Sequence, residues 1–109
     1  MGKPLLAKYD DPGNPTVIVQ IGLTQIPNVL VDLGVAINVM TIETVRKLGL
    51  TNLRPTPTVL ELADRSTIKP EGILDDLVIS VDSWEYPADF LVLQPKSQLG
   101  GHLLILGRP

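Results

Sequence analysis

Apolar residues lie along the chain in short runs separated by turn-forming residues, and this pattern is typical of a β-rich domain. Residues 16–21 are β-branched and apolar, and they follow a cluster of turn formers. Alternating or fully apolar runs predict further strands at residues 29–31, 58–62, 73–81, 90–93 and 103–106. Turns are predicted at residues 82–83 and 95–101. The pattern indicates a small barrel or sandwich of about six or seven strands.

One segment, residues 41–48, has the features of a short helix. Thr41 is a favourable N-cap, and the apolar residues Ile42 and Val45 fall on one helical face. Gly49 follows at the point where the helix should end. The ten prolines argue against a helical bundle, because a proline inside a helix costs about 3 kcal/mol. We therefore expect a mostly-β fold with a single short helix.

The length of 109 residues fits one domain. We expect residues 15–109 to form it, with residues 1–14 as an N-terminal extension or linker. The chain has no cysteine, which excludes disulfides and thiolate chemistry. Its one histidine, His102, argues against a histidine-based zinc site and against a Ser-His-Asp triad. Any chemistry is therefore expected to use carboxylates or hydroxyls, without a metal or cofactor.

Charge and hydropathy narrow the classes of partner. The net charge is −3 and no basic stripe follows the chain, so nucleic-acid contact is not expected. No apolar run approaches the roughly 20 residues that span a bilayer, and the first residues lack a signal-peptide profile. We expect no membrane contact and an intracellular, cytoplasmic location.

Three segments are candidates for chemistry, and each has a plainer interpretation. Asp32 stands between two apolar runs, where an unpaired buried charge would cost several kcal/mol. It is either a functional carboxylate or a strand-end residue that accepts backbone N–H groups. Residues 103–108 are either a functional motif or an ordinary core strand that ends in glycine. Residues 62–66 are either a functional hairpin tip or an ordinary exposed turn.

The order and spacing of these segments resemble the retropepsin-like aspartic protease domain of plant gypsy-type LTR retrotransposon polyproteins. The resemblance covers residues 15–109. It is carried by five blocks, VDLGVAINVM at 31–40, RKLGL at 46–50, LADRS at 62–66, DFLVL at 89–93 and ILGRP at 105–109. It implies a closed β-barrel with one short helix. In that family a C-terminal helix and strand follow, so we expect those last elements to be truncated here and dimerisation to be weak.

The resemblance implies an aspartic endopeptidase that cleaves its own polyprotein. Asp32 would be catalytic and would face Asp32 of a second copy in a homodimer. The substrate-binding residues would be Gly34 and Val35 with a flap formed by Ala63, Asp64, Arg65 and Ser66. Structural support would come from Leu33, Gly107 and Arg108, and pocket walls or their support from Val31, Ile37, Ile68, Leu91 and Leu106. The family works without metal or cofactor and is associated with cytoplasmic particles.

Departures from the family pattern keep other functions open. Many retropepsins have Ser or Thr where Leu33 stands, and the plant elements usually have Ser where Ala36 stands. Leu33 cannot donate a hydrogen bond across a dimer axis, although Leu is usual at this position in the plant elements. Ala36 removes a polar group that would form a hydrogen bond worth about 0.5–1.5 kcal/mol, and Val35 adds bulk. One alternative is a catalytically impaired retropepsin-fold module for dimerisation or peptide binding. Another is a structural β-domain in which Asp32 caps a turn.

Overall fold

The computed structural model describes residues 5–6, 15–62, 64–94 and 99–108. The N-terminal half of the barrel and the helix comprise β2 (Thr16–Ile21), β3 (Thr24–Val31), β4 (Asn38–Thr41) and α1 (Ile42–Lys47). The remaining barrel strands are β7 (Gly72–Val81), β8 (Trp84–Leu93) and β9 (Leu104–Leu106). Three short strands lie outside the barrel, namely β1 (Leu5–Leu6), β5 (Leu60–Leu62) and β6 (Thr67–Ile68).

Six strands close into a barrel in the order β2-β3-β9-β4-β8-β7. The other three form a small sheet in the order β1-β5-β6, in which β1 runs parallel to β5. The expectation of a mostly-β fold with a closed barrel and one short helix is therefore confirmed for the described residues. The helix is capped by Thr41, whose side chain accepts the N–H of Thr44, and it ends before Gly49 at a φ of 67°.

Two strands are longer than the sequence predicts. β3 begins at Thr24 rather than at residue 29, because a one-residue bulge accommodates Pro27. Asn28 takes a φ of 54° at this bulge, and His102 Nδ1 donates a 2.7 Å hydrogen bond to its carbonyl oxygen. β8 begins at Trp84 rather than at residue 90. The first half of this strand alternates apolar and polar residues, but Pro87 weakens the strand signal there and most of these residues are solvent-exposed.

Other predicted elements are shorter in the structure or lie partly outside the described residues. The strand predicted at residues 58–62 pairs only from Leu60, and the one predicted at 103–106 begins at Leu104. The turn at residues 82–83 joins β7 to β8 as predicted. The turn predicted at 95–101 lies partly outside the described residues, as does most of the extension predicted at residues 1–14.

Strand β9 and the second half of β8 carry buried side chains on both faces. Along β9, Leu104 and Leu106 join one hydrophobic cluster and Ile105 joins a second. Phe90 and Leu91 of β8 divide between the same two clusters, because successive side chains of a strand point to opposite sides. This double burial explains why these segments are continuous apolar runs in the sequence.

Phe90 tests the core of the barrel. Its side chain is 0% exposed, so Phe90→Ala should lower the free energy of unfolding by about 3–5 kcal/mol. Trp84 is the matched control on the same strand, since it is 75% exposed and its replacement by Ala should cost about 0.5 kcal/mol or less. Urea denaturation measures both changes. Equal losses in the two variants would contradict this account of the core.

Candidate active site

Asp32 lies in a tight turn that begins where β3 ends. Its backbone N–H donates to the Leu106 carbonyl oxygen at 2.9 Å, and its carbonyl oxygen accepts the Val35 N–H at 3.3 Å. The carboxylate Oδ1 accepts the backbone N–H of Gly34 at 3.0 Å. A Cβ at Gly34 would lie 3.2 Å from that oxygen, so glycine keeps the approach uncrowded. The carboxylate is therefore held in one orientation while Asp32 stays partly exposed.

The two strands that flank this turn do not pair with each other, because β9 lies between them. β9 runs parallel to β3, with Leu30 opposite Ile105, and antiparallel to β4, with Val39 also opposite Ile105. The turn therefore crosses over the end of β9. The sequence segments around Asp32 and around Gly107, which are far apart in the chain, meet at this crossing.

Gly107 follows the last residue of β9 and lies directly beneath the Asp32 turn. A Cβ at this position would lie 2.1 Å from the carbonyl oxygen of Ile37 and 2.7 Å from that of Val35, so no other residue fits without a shift of backbone. The Gly107 N–H donates to Asn38 Oδ1 at 2.9 Å, and the Arg108 N–H donates to the Val35 carbonyl oxygen at 2.6 Å. Both residues thus support the turn through their backbones.

Asn38 is a site residue that the sequence reasoning missed. Its Oδ1 accepts the Gly107 N–H, and its Nδ2 donates to the carbonyl oxygen of Asp89 at 3.1 Å. One amide group therefore joins the turn, β8 and the end of β9. The only sequence signal was a polar residue at the start of an apolar strand, which by itself does not identify a bridging role.

The three apolar residues of the turn occupy different environments. Leu33 is 63% exposed beside Asp32, whereas Val35 is 7% exposed and lies inside the protein. The backbone N–H of Val35 donates to the Asp32 carbonyl oxygen, and its own carbonyl oxygen accepts the Arg108 N–H. The role of Val35 in substrate binding stays a prediction. Ala36 is exposed and lines the cleft described below.

The predicted flap corresponds to the hairpin of β5 and β6. Its tip is closed by hydrogen bonds from the Leu62 N–H to the Ser66 carbonyl oxygen and from the Arg65 N–H to the Leu62 carbonyl oxygen. Asp64 Oδ1 accepts the Ser66 N–H at 2.9 Å, and Arg65 has a φ of 72°. Asp64, Arg65 and Ser66 are exposed, and Ala63 lies outside the described residues. The hydrogen bonds named here for the tip are all local to residues 62–66.

An open cleft of about 540 Å³ begins at the far end of the Asp32 turn and runs along β8. Among the predicted wall residues, Ile37 and Leu91 line it, whereas Val31, Ile68 and Leu106 do not. Its remaining lining residues are Ala36, Asn38, Thr58, Ile73, Tyr86, Pro87, Ala88, Asp89 and Arg108.

An exposed ion pair joins the segment before the hairpin to β7. Arg54 donates through Nε and Nη2 to the two carboxylate oxygens of Asp75, and its backbone pairs with Ile73, a cleft residue. The hydrogen bond from Arg54 holds the pKa of Asp75 below its ordinary value. The pKa of Arg54 is raised, mainly by Asp75 and to a smaller degree by Asp89.

Comparison with known proteins gives no family. No protein-family model matches the chain, and no curated protein matches it. Within the described residues, no group of three or more His, Asp or Glu side chains could hold a metal ion. The described part of the chain also contains no helix of the length and apolarity needed to cross a membrane.

Alanine substitutions at Gly107 and Gly34 test how closely the Asp32 turn packs over the end of β9. Gly107→Ala forces a Cβ against backbone oxygens, so the free energy of unfolding should fall by about 3 kcal/mol or more. Gly34→Ala meets only the tip of the Asp32 side chain and should change stability by less than about 1 kcal/mol. Denaturation curves of both variants make the comparison. A stable Gly107→Ala protein would mean that the crossing is looser than the structure shows.

The ion pair between Arg54 and Asp75 predicts a lowered pKa for the Asp75 carboxyl group. Asp75 should titrate below its ordinary value of 3.8, and Arg54→Gln should return its pKa toward that value. Arg54→Lys, which keeps the charge but not the two-pronged contact, should give an intermediate result. Because the folded-state pKa is depressed, the pair stabilises the fold above the ordinary pKa and loses this effect as pH falls through the folded value. Carboxyl-carbon NMR titration measures it, and an unchanged Asp75 in Arg54→Gln would refute the assignment.

Proposed function

We propose that this chain is the aspartic endopeptidase domain of an LTR-retrotransposon polyprotein, that its fold is retropepsin-like, and that it acts as a homodimer in the cytoplasm. The observation that carries the proposal is the crossing of the Asp32 turn by the Leu104–Leu106 strand, with Gly107 packed beneath it. The family resemblance assigned these same two segments to one active-site support. Their contact in the fold is the arrangement expected if that assignment is correct.

The partial exposure of Asp32 and the charges around it support a role in which its carboxyl group meets a second one. Asp32 is partly exposed, and among the described residues no Lys, Arg or His lies within 4.0 Å of its carboxylate. Its neighbour Leu33 is 63% exposed, although it is an apolar side chain next to a charged one. A second copy placed over this turn would cover Leu33 and bring the two Asp32 carboxyl groups together.

In the proposed dimer the two Asp32 carboxyl groups share one proton, because adjacent carboxylates repel each other too strongly to ionise together. The ionised group removes a proton from water, whose oxygen attacks the peptide carbonyl carbon, and the protonated group donates to the carbonyl oxygen. A hydroxyl of the resulting gem-diol then returns its proton to the pair while the pair protonates the amide nitrogen. The C–N bond breaks, and the pair again holds one proton.

The apolar turn is compatible with this chemistry because backbone groups hold it. Ala36 lacks a hydroxyl that could brace the turn, and Leu33 cannot donate a hydrogen bond. In the structure, the Val35 N–H bonds to the Asp32 carbonyl oxygen, and the Val35 carbonyl oxygen accepts the Arg108 N–H. These bonds, with the Gly34 N–H on the carboxylate, orient Asp32 without a side-chain hydroxyl.

A second function has support from the same turn. Leu33 cannot donate a hydrogen bond to a partner turn, and its exposed apolar surface fits a contact between copies equally well without catalysis. A catalytically impaired module that dimerises and binds extended peptides would keep the barrel, the crossing and the cleft. Only the use of Asp32 as an acid and base separates the two functions.

Asp32 provides the deciding experiment. Cleavage of a peptide library should be measured in acidic buffer over a range of chain concentrations. Because a dimer is the active species, activity per chain should rise with concentration. Asp32→Asn should lower the rate about 100-fold or more, since general acid–base catalysis contributes roughly 10²–10⁴. An excess of Asp32→Asn chain added to the wild type should suppress cleavage by forming mixed dimers.

Asp82→Asn is the control for this experiment. Asp82 is an exposed carboxylate in the turn between β7 and β8 at a φ of 53°, a conformation that asparagine tolerates well. The Asp82→Asn protein should cleave the peptide library at the wild-type rate. Equal cleavage by Asp32→Asn would contradict the proposal. A folded chain that dimerises and binds peptides but never cleaves them would instead support the impaired module.

A further inference from the structure

Arg108 contributes a side chain to the cleft as well as backbone support to the turn. Its N–H is fixed to the Val35 carbonyl oxygen, which positions the residue at the junction of the turn and β9. The residue is exposed and lies on the wall of the open cleft. The backbone contact does not depend on the side chain, so the guanidinium is available for a second role.

The two charged residues of the cleft differ in how fully they are engaged. Asp89 Oδ1 accepts the N–H of Asp76 at 2.8 Å, and the same carboxylate lies in the field of Arg54. Neither residue has an oppositely charged group within 4.0 Å in the part of the chain that the structure describes. The Asp89 carboxylate is held by its hydrogen bond from Asp76, whereas no described residue holds the Arg108 guanidinium, which therefore remains available to a ligand.

The rest of the cleft suits an apolar group. Ile37, Ile73 and Leu91 present aliphatic side chains, and Ala36 leaves room beside the turn. A peptide in extended conformation places residues i and i+2 on the same side, about 7 Å apart. A peptide whose apolar side chain enters the cleft would therefore present its next same-side residue along the same wall.

We propose that Arg108 is a specificity-determining residue that selects peptides with an acidic side chain two positions from the apolar residue held in the cleft. The inference rests on the proposed function, because it takes the cleft beside the Asp32 turn as the place where the peptide lies. Guanidinium and carboxylate form paired, directional hydrogen bonds, which a glutamine at the same position cannot match. Since Arg108 is exposed, the preference should be modest, about 2- to 5-fold in affinity.

The test is a binding measurement that does not require catalysis. The full chain carrying Asp32→Asn is titrated into two labelled peptides that differ only at one position, Leu-Ala-Glu against Leu-Ala-Gln within the same flanking residues. Fluorescence anisotropy should give a Kd about 2- to 5-fold lower for the Glu peptide. The difference should shrink as salt is raised. It should disappear when Arg108→Gln is added, and Arg108→Glu should favour the corresponding Lys peptide.

Arg46→Gln is the matched control, because it removes an exposed arginine from the end of α1 and should leave the peptide preference intact. Equal Kd values for the two peptides, binding of neither, or an unchanged preference in Arg108→Gln would overturn the inference. The proposed function fails separately. Cleavage without a preference for Glu would reject the role of Arg108 alone, whereas a Glu preference in a chain that never cleaves would reject catalysis alone.

Discussion

The insertion of β9 between β3 and β4 is the constraint on which the rest of the structure depends. It closes the barrel, because β9 supplies the hydrogen-bonding partner that each of those strands lacks. It also shapes the Asp32 turn, which must pass over the end of β9 to connect two strands that never touch. The close contact at Gly107 follows from this geometry, since the carbonyl oxygens of Ile37 and Val35 occupy the space that a side chain would need. Stability of the fold and placement of the candidate carboxylate therefore share one cause.

Sequence reasoning predicted best where a local signal matched a local structure. The apolar runs of β8 and β9 are buried on both faces, and Thr41 caps the helix as its position suggested. It predicted poorly where solvent faces the strand, since the first half of β8 is largely exposed and contains Pro87, which argues against a strand interior. The bulge that lets Pro27 enter β3 has no short-range signature. Asn38 and the cleft depend on contacts between segments far apart in the chain, which hydrophobic periodicity does not encode.

The departures of this chain from the family pattern have a consistent physical explanation. Side-chain hydroxyls are absent from the turn, and backbone N–H groups of Gly34, Val35 and Arg108 provide the hydrogen bonds instead. Backbone donors tolerate sequence change better than side-chain donors, because substitution leaves them in place. Leu33 takes no part in these hydrogen bonds, and its side chain is largely exposed. In this turn, the orientation of the carboxylate therefore depends on backbone groups and not on the side chain at position 33.

The hydrogen bond between Asn38 and Gly107 joins residues 69 positions apart, and this separation has a consequence for the order of assembly. A ribosome adding about 5–20 residues per second needs roughly 3 to 14 seconds to make that stretch. During this interval Asp32 has already been synthesised, but the strand that must pass beneath it has not. A nascent chain therefore carries the carboxylate without the turn geometry that would make it useful. Translation itself therefore delays formation of the turn geometry around Asp32 until β9 has emerged.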